Sequence, residues 1–406
     1  MFTHNKNATR ADYPAELQQI MNLERANESR EWLSGWRMLS AEPTPLVSMT
    51  HLAQKLGVGA VLLKDESKRS PLGSFKALGA SIALIRLILR KFPDAGFTAH
   101  SLFNGEHAQA LKDFTIVSAT AGNHGCSLAA AARDIGCRCI IVLSSQVNPD
   151  REKAIASNGA EIVRVAGDYD DSVEHAESLS KTEGWLVVSD TSYEGYEEIP
   201  RDVMQGYATI PSEVIDQLDA RNSDTPPFTH VFLQGGVGGM AAGITAYLWE
   251  RYGKNRPTLI VVEPNQADCL YQSALAGHAA SATGDIDSLM AGLACGEASP
   301  LAWRFLQPAC DYFITVSDTK AIEAMKILAD GQYGDIPIVS GGSGAASLAA
   351  LIELTENAEQ GKAAGINEAS KVLLINTEGA TAPTEYLEQV GKTAEDVLAA
   401  AAKAQA

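Results

Sequence analysis

The chain has 406 residues, of which 50 are acidic and 32 basic, so its formal net charge at pH 7 is −18. This acidic balance argues against a nucleic acid or an anionic membrane surface as a partner, since both require a basic face. Hydrophobic residues at 46% and charged residues at 20% are typical of a globular protein of two or three domains, whose core needs no metal or disulfide in order to fold.

The N-terminal stretch MFTHNKNATRADYPAEL lacks the apolar segment of a secretory signal. No apolar run approaches the roughly 18 residues of a membrane span. Six cysteines are too few for a disulfide framework in a chain of this length. We therefore expect a cytoplasmic protein whose thiols are free.

Short β-branched runs alternate with longer helical patterns along the chain. The patterns predict strands over 59–66, 114–120, 138–144, 160–167, 185–190, 230–236, 258–264 and 371–379. Between or after them, they predict helices over 74–92, 150–159, 169–184 and 395–406, a loop and helix that continue the strand at 114–120 to residue 136, and a helix that continues the strand at 230–236 to residue 253. Such alternation is typical of an α/β fold with parallel sheets covered by helices.

Four turns rich in small residues follow predicted strands or open predicted helices: Leu233–Gly243, Ser118–Ser127, Ser340–Ser347 and Asn376–Ala382. Ligands of α/β proteins bind at the carboxyl edge of the sheet, so we expect these turns to gather there. In the first turn, LQGGVGGMAAG, glycines can present consecutive N–H groups to an anion beside a helix N-terminus. A phosphate would fit there, although a plain strand-to-helix turn can have the same composition.

Lys76 opens a mostly apolar predicted helix in the stretch SPLGSFKALGA. A lysine removed from water has a lowered pKa and attacks carbonyl groups. An aldehyde and a phosphate in one cofactor indicate pyridoxal phosphate. The alternative is that the stem of Lys76 packs and its ammonium group reaches solvent.

Together these segments resemble the fold type II pyridoxal-phosphate enzymes, the tryptophan synthase β and threonine dehydratase superfamily, and within it the 2,3-diaminopropionate ammonia-lyase family. The likeness runs from about Pro43 to Gly379 and rests on PTPLVSMTHLAQKLGV, VLLKDESKRSPLGSFKALG, DTSYEGYEEIPRDVMQGYATI, VVEPNQADCLYQSA, MAGLACGE, VSGGSGAASL and NTEG. It implies two open, twisted, mostly parallel sheets flanked by helices, with the cofactor at the domain interface. Residues 1–89 and 226–406 would form the large cofactor-binding domain and 90–225 the smaller one.

The resemblance also implies roles for individual residues. Lys76 would form the Schiff base and act as the base for an L-substrate, Asn123 would contact the phenolate oxygen of the cofactor, and Thr377 rather than Asn376 would lie near the pyridine nitrogen. Asp190 would receive the distal ammonium of the substrate. The phosphate cradle would comprise Gly235, Gly236, Val237, Gly238 and Gly239, and the substrate loop would comprise Thr120, Ala121, Gly122 and His124.

The implied reaction is an α,β-elimination that releases ammonia and a 2-oxo acid such as pyruvate, catalysed by a homodimer without a metal site. The sequence differs from the family pattern at three places that affect this reaction. Ala121 and Ala380 (with Ala382) occupy positions where the family has Asp, and Gly342 occupies a position where the family has Glu. Because the acid at position 121 is the base for the D-isomer, we expect the L-isomer to be favoured.

Several alternatives stay open on the sequence alone. The chain could be a lyase or dehydratase for another β-substituted amino acid, with a hydroxyl or an N-substituted amine as the leaving group. It could also be a racemase, a β-replacement enzyme or a non-catalytic phosphate-binding protein. Cys269 and Cys295 lie in family-specific segments, and they could be neighbours that are either free thiols or a disulfide.

Overall fold

The computed structural model of the chain describes residues 1–145, 147, 149–167 and 169–405. Its strands are β1 (Phe2–His4), β2 (Leu46–Ser48), β3 (Ala60–Asp65), β4 (Thr115–Ala119), β5 (Arg138–Ser144), β6 (Glu161–Val165), β7 (Leu186–Val187), β8 (His230–Gln234), β9 (Thr258–Pro264), β10 (Tyr312–Val316) and β11 (Lys371–Asn376).

The helices include the six whose ranges the sequence patterns predict, together with others that the patterns did not delimit. They are α1 (Ala15–Gln18), α2 (Leu23–Leu33), α3 (Thr50–Leu56), α4 (Lys76–Lys91), α5 (Ala99–Phe103), α6 (Ala108–Leu111), α7 (Asn123–Ile135), α8 (Pro149–Ser157), α9 (Tyr169–Glu183), α10 (Glu198–Tyr207), α11 (Thr209–Gln217), α12 (Gly239–Tyr252), α13 (Cys269–Ala276), α14 (Pro300–Ala309), α15 (Asp318–Asp330), α16 (Gly342–Glu356), α17 (Ala358–Ala364), α18 (Pro383–Val390) and α19 (Ala394–Gln405). Within the described residues, none of them combines the length and hydropathy that a membrane crossing would require.

The larger sheet has the strand order β1-β10-β9-β8-β11-β3-β2. Its inner strands pair in parallel, whereas β1 and β2 at the two edges run antiparallel to their neighbours. Antiparallel edge strands on a parallel sheet are common in α/β proteins. The sequence patterns did not predict β1 and β2, because three residues are too few to establish an alternation.

The smaller sheet has the order β6-β5-β4-β7, and all its pairs are parallel. It uses residues between Thr115 and Val187, whereas the larger sheet takes strands from both sides of that segment. The chain is thus an α/β protein with two mostly parallel sheets flanked by helices. The division into 1–89 with 226–406 and 90–225 stays a prediction.

Three glycines bring helices α4, α10 and α12 into close contact. A Cβ atom on Gly206 would lie 2.3 Å from the carbonyl oxygen of Leu78, and one on Gly243 would lie 2.4 Å from that of Met204. A Cβ on Gly79 would lie 2.5 Å from the Tyr207 ring. Because none of these glycines carries a side chain, the helices approach closely enough to fix Tyr207 near the start of α4.

Candidate active site

Lys76 is the first residue of α4, and the turn before it is tied to the loop after β11. The amide of Phe75 donates to the carbonyl of Thr377 over 3.1 Å, and the amide of Gly379 donates to the carbonyl of Gly73 over 2.9 Å. The Lys76 side chain is 19% exposed, so its amine lies in a partly closed cavity rather than in solvent. This placement confirms that Lys76 faces the carboxyl edge of the larger sheet.

The Lys76 amine forms an ion pair with Asp190, whose Oδ2 atom lies 2.6 Å from Nζ. Burial disfavours the ammonium form, but the neighbouring Asp190 carboxylate outweighs burial and raises the pKa of Lys76. The same pair lowers the pKa of Asp190 although burial opposes it. The expectation of a lowered pKa for Lys76 is therefore wrong for the chain without cofactor, because it did not include this counter-charge.

His124 lies at the beginning of α7 and is 4% exposed. Its Nε2 atom is 3.1 Å from the carbonyl oxygen of Val188, which can only accept, so Nε2 carries the hydrogen and Nδ1 carries a lone pair. Nδ1 has no hydrogen-bond partner in the described part of the chain and lies 3.9 Å from Asp190 Oδ2. Burial lowers the pKa of His124, so the ring is a neutral acceptor beside the Lys76–Asp190 pair.

Tyr207 is a site residue that the sequence analysis did not identify. Its ring centroid lies 6.0 Å from Lys76 Nζ, and the ring of Phe75 packs against it at 4.8 Å between centroids. Tyr207 is 1% exposed, and its hydroxyl meets no strict hydrogen-bond geometry within the described residues, although it interacts with the Lys76 amine. Its placement depends on the helix contact at Gly79, which no local pattern around residue 207 reveals.

The glycine-rich loop between β8 and α12 has the backbone that an anion cradle requires. Gly236 and Gly238 have φ angles of 62° and 98°, in the left-handed region that favours glycine. Among the described residues, no backbone carbonyl accepts from the amides of Gly236 or Val237. The loop ends where α12 begins at Gly239, within about 4 Å of the Asp190 backbone at its Cβ position, so the cradle and the ion pair belong to one site.

Cys269 and Cys295 lie on either side of Gly236. The Cys269 thiol is 3.5 Å from the Gly236 carbonyl oxygen, and Cys295 Sγ is 3.6 Å from the position of a Cβ on Gly236. Both cysteines are free thiols in the structure. Burial raises the pKa of Cys295 to about 12, so its sulfur is protonated at neutral pH.

Asn376 and Thr377 differ in what their side chains contact. The Asn376 amide donates to Asp65 Oδ1 at 2.8 Å and to the Val339 carbonyl at 2.9 Å, and the residue is fully buried. These two contacts occupy the amide nitrogen of the Asn376 side chain within the protein. Thr377, one residue further into the loop, remains the better candidate for a contact with a cofactor.

The Asn123 amide contacts Glu378, a residue of the NTEG segment for which the sequence predicted no role. Asn123 Nδ2 donates to Glu378 Oε2 over 2.6 Å. The amide of Ser343, in the first turn of α16, donates to Glu378 Oε1 over 3.3 Å. Glu378 thus joins the loop after β11, the beginning of α7 and the beginning of α16.

The substrate loop precedes α7. Thr120 and Ala121 are half-buried, and Gly122 is exposed with open space around its Cβ position.

Gly342 is another position at which the sequence differs from the family pattern. A Cβ on Gly342 would lie 2.4 Å from Leu289 Cδ1 and 2.9 Å from the Leu289 carbonyl oxygen. Leu289 therefore occupies the space that a larger residue at position 342 would need, whereas Ala380 is half-buried against an apolar cluster.

These features fit pyridoxal phosphate. A lysine amine, an amide donor and a glycine cradle at a helix N-terminus are the groups that an aldehyde, a phenolate and a phosphate require. The buried Tyr207 hydroxyl and His124 Nδ1, which meet no strict hydrogen-bond geometry within the described residues, both lie near the Lys76–Asp190 pair. Buried polar atoms without a hydrogen bond are rare in folded proteins, and a bound polar ligand would supply the partner that these atoms lack.

Comparison with known proteins supports this interpretation over nearly the whole chain. Residues 38–378 match the family model described as pyridoxal-phosphate dependent enzyme. The chain is 39% identical over 351 residues to the diaminopropionate ammonia-lyase of Salmonella typhimurium, and the match covers 84% of this chain and 86% of that protein.

Two solved structures of the Escherichia coli diaminopropionate ammonia-lyase are also similar to this chain. The complex with an aminoacrylate-PLP azomethine reaction intermediate has a TM-score of 0.85 and 33% identity, with 96% of each chain covered. The complex with D-serine has a TM-score of 0.84 and 34% identity, covering 97% of this chain and 98% of that chain.

Proposed function

The chain belongs to the pyridoxal-phosphate dependent enzymes and, within them, to the diaminopropionate ammonia-lyase family, and from this premise we propose that it catalyses α,β-elimination of 2,3-diaminopropionate. The products are pyruvate and two molecules of ammonia, with one water consumed. The observation that carries the proposal is the half-buried Lys76 amine, which is paired with Asp190 close to the glycine cradle.

When bound, pyridoxal phosphate supplies an electron-accepting ring that stabilises the negative charge left after removal of an α-proton. Lys76 binds its aldehyde carbon. The amides of Gly236, Val237 and Gly239 would bind its phosphate, whereas those of Gly235 and Gly238, also expected in the cradle, already donate to the carbonyls of Val262 and Gly235. Asn123 would donate to its phenolate oxygen, and Thr377 would face its pyridine nitrogen. Supporting these roles, two of the loop amides have no carbonyl partner within the described residues.

Lys76 and Asp190 manage the protons of the reaction. As a free amine, Lys76 would remove the α-proton of an L-substrate. Asp190, at hydrogen-bond distance from Nζ, stabilises the resulting ammonium group. The same carboxylate also attracts the distal ammonium of the substrate before it leaves as ammonia, so its charge serves both groups.

The loop of Thr120, Ala121 and Gly122 with His124 binds the rest of the substrate. Its half-exposed position and the open space at Gly122 support this role. The neutral His124 ring, with Nδ1 as an acceptor, can receive an N–H of the substrate. Because Ala121 carries no proton acceptor, the enzyme favours the L-isomer.

A second candidate substrate class consists of β-hydroxy or N-substituted amino acids. The specific observation in its favour is that Leu289 occupies the space beside Gly342, so an apolar side chain rather than a carboxylate lies there. An apolar surface discriminates weakly between an amine and a hydroxyl as the leaving group.

The decisive test has two parts. Borohydride reduction of the holoprotein should fix a pyridoxyl label on Lys76, and peptide mapping should find no label in Lys76→Ala. A panel of β-substituted amino acids in both enantiomers, assayed for pyruvate and ammonia, should then show the highest kcat/KM for L-2,3-diaminopropionate. Absence of the label would overturn the proposed function, whereas a preference for a β-hydroxy substrate would change only the substrate.

The proposal includes a homodimer in the cytoplasm. The dimer is inferred by analogy with other enzymes of this fold. A reducing compartment is supported by the six cysteines, which all lie in the described part of the chain and are free thiols. Light scattering after size-exclusion chromatography tests the dimer, and fractionation of the source cells tests the location.

A further inference from the structure

Glu378 is a buried carboxylate whose position is fixed by the backbone around it. Its carbonyl accepts from the amide of Gly341 over 3.0 Å, and its backbone pairs with that of Ser74 in an isolated β-bridge. The residue is 8% exposed. Its side chain is therefore held between the turn before Lys76 and the beginning of α16.

The short contact of Glu378 is with Asn123. Oε2 accepts from Asn123 Nδ2 over 2.6 Å, while the Ser343 amide and the Thr381 hydroxyl donate over 3.3 and 3.4 Å. An ionised carboxylate can only accept hydrogen bonds. The Asn123 nitrogen must therefore face Glu378, because the flipped amide would set its oxygen against the carboxylate.

This contact determines what Asn123 can offer to a cofactor. The amide nitrogen carries two hydrogens, of which one is bound by Glu378 and the other remains available as a donor. A phenolate oxygen needs a donor, and only the nitrogen end of the amide supplies one. Without Glu378, the amide could rotate about its last side-chain bond and present its oxygen instead.

We propose that Glu378 is a positioning residue, which holds the Asn123 amide so that its second N–H points at the phenolate oxygen of the cofactor. The inference rests on the proposed function, since it assumes that pyridoxal phosphate binds at Lys76. Glu378 acts through Asn123 and carries out no proton transfer itself.

Glu378 also contacts the first turn of α16, and a cap there would stabilise the helix regardless of any cofactor. The two roles have different consequences. Loss of a cap lowers the thermal stability of the protein, whereas loss of amide orientation changes the environment of the cofactor ring. The visible absorption spectrum of the bound cofactor reports only the second effect.

A double-mutant cycle separates the roles, using holoprotein of the wild type, Glu378→Ala, Asn123→Ala and the double variant. The measurements are the pH dependence of the visible absorption band and the Kd for pyridoxal phosphate. We expect Glu378→Ala to shift the band in the same direction as Asn123→Ala and to raise Kd about tenfold, the effect of one hydrogen bond to a charged group. The double variant should match Asn123→Ala alone, because residues that act through one contact are not additive.

Two further variants complete the test. Glu378→Gln can still accept from Asn123 through its amide oxygen and should retain most of the wild-type spectrum. Should the alanine variant not fold, Glu378→Asp replaces it in the cycle, because it keeps the charge but withdraws the carboxylate from Asn123 by one methylene. Ser317→Ala removes a cap from α15, where Ser317 accepts from the Lys320 amide, and should lower Tm without changing the spectrum.

Additive effects, or a lower Tm with an unchanged spectrum in Glu378→Ala, would overturn the inference and leave the proposed function intact. A wild-type protein that binds no pyridoxal phosphate would overturn both. The two failures are distinguishable because the spectrum and borohydride label of the wild type are recorded first.

Discussion

The carboxylate of Asp190 lies 2.6 Å from the amine of Lys76, although the two residues are 114 positions apart in the chain. Lys76 follows β3 of the larger sheet, and Asp190 follows β7 of the smaller sheet. Their ion pair therefore joins the two halves of the site. It favours the ammonium form of Lys76 by raising the pKa of this residue, so the amine must lose a proton before it can act as a nucleophile.

Replacement of Asp190 by Asn should remove the charge that stabilises the Lys76 ammonium group. We expect kcat for L-2,3-diaminopropionate to fall about 10²- to 10⁴-fold, the usual contribution of a group that assists proton transfer. KM should rise as well, because the distal ammonium of the substrate loses its counter-charge. Steady-state measurement of pyruvate release gives both values.

The control for this variant is Asp335→Asn, which removes a carboxylate paired with the exposed His51 and should leave both constants unchanged. An unchanged KM in Asp190→Asn would exclude the ammonium-binding role. An unchanged kcat would exclude the role in proton transfer.

Replacement of Tyr207 by Phe should affect function without loss of stability. The Tyr207 hydroxyl is buried and meets no strict hydrogen-bond geometry within the described residues, although it interacts with the Lys76 amine, so its removal costs little protein hydrogen bonding. We expect Tm of the cofactor-free protein to stay the same or rise, while kcat falls because a polar group beside Lys76 is lost. A drop in Tm with unchanged kcat would indicate a purely structural residue.

The sequence predicted the elements that depend on local patterns. The predicted strands at 138–144 and 258–264 have the same bounds as β5 and β9, and the predicted helix over 74–92 contains α4. Hydrophobic runs between turn residues carry this information without knowledge of the rest of the chain.

The contacts within the site could not be predicted in the same way. Asn123 and Glu378 are 255 positions apart, and no spacing relates them until both sheets have formed. The placement of Tyr207 depends on the missing side chain of Gly79. The pKa of Lys76 is raised by Asp190, which follows a strand of the other sheet. The expectation of a lowered pKa considered burial alone and was therefore wrong.

Replacement of Ala121 by Asp should restore a proton acceptor to the substrate loop. We expect the wild type to use D-2,3-diaminopropionate weakly, and Ala121→Asp to raise kcat/KM for the D-isomer at least about tenfold, a lower bound for general-base assistance. Ala121→Asn is the matched control, because it has the same shape without a basic oxygen. Equal kcat/KM for the two enantiomers in the wild type would contradict the proposed stereochemistry.

Replacement of Gly342 by Glu should destabilise the protein, although Glu is the residue that the family resemblance implies at this position. The new Cβ would meet Leu289 Cδ1 at 2.4 Å and its carbonyl oxygen at 2.9 Å, and overpacking of this kind typically costs about 1–3 kcal/mol. We expect a lower Tm, which Leu289→Ala in the same chain recovers only in part because the carbonyl remains. A Tm equal to that of the wild type would mean that the segment around Leu289 adapts freely.

Glu263 makes folding stability depend on pH, since burial raises its pKa to about 8 although the Leu270 and Tyr271 amides donate to it. An acid with a raised folded-state pKa contributes stability below its unfolded-state pKa of about 4.3, and this stability is lost as pH rises toward 8. The loss is on the order of a few kcal/mol, because raising a pKa by one unit is equivalent to about 1.4 kcal/mol.

The variant Glu263→Gln cannot ionise at this position. Its unfolding free energy relative to that of the wild type should therefore increase between pH 5 and pH 8 in denaturant titrations. A constant difference across this range would show that Glu263 is already ionised in the folded protein at pH 5.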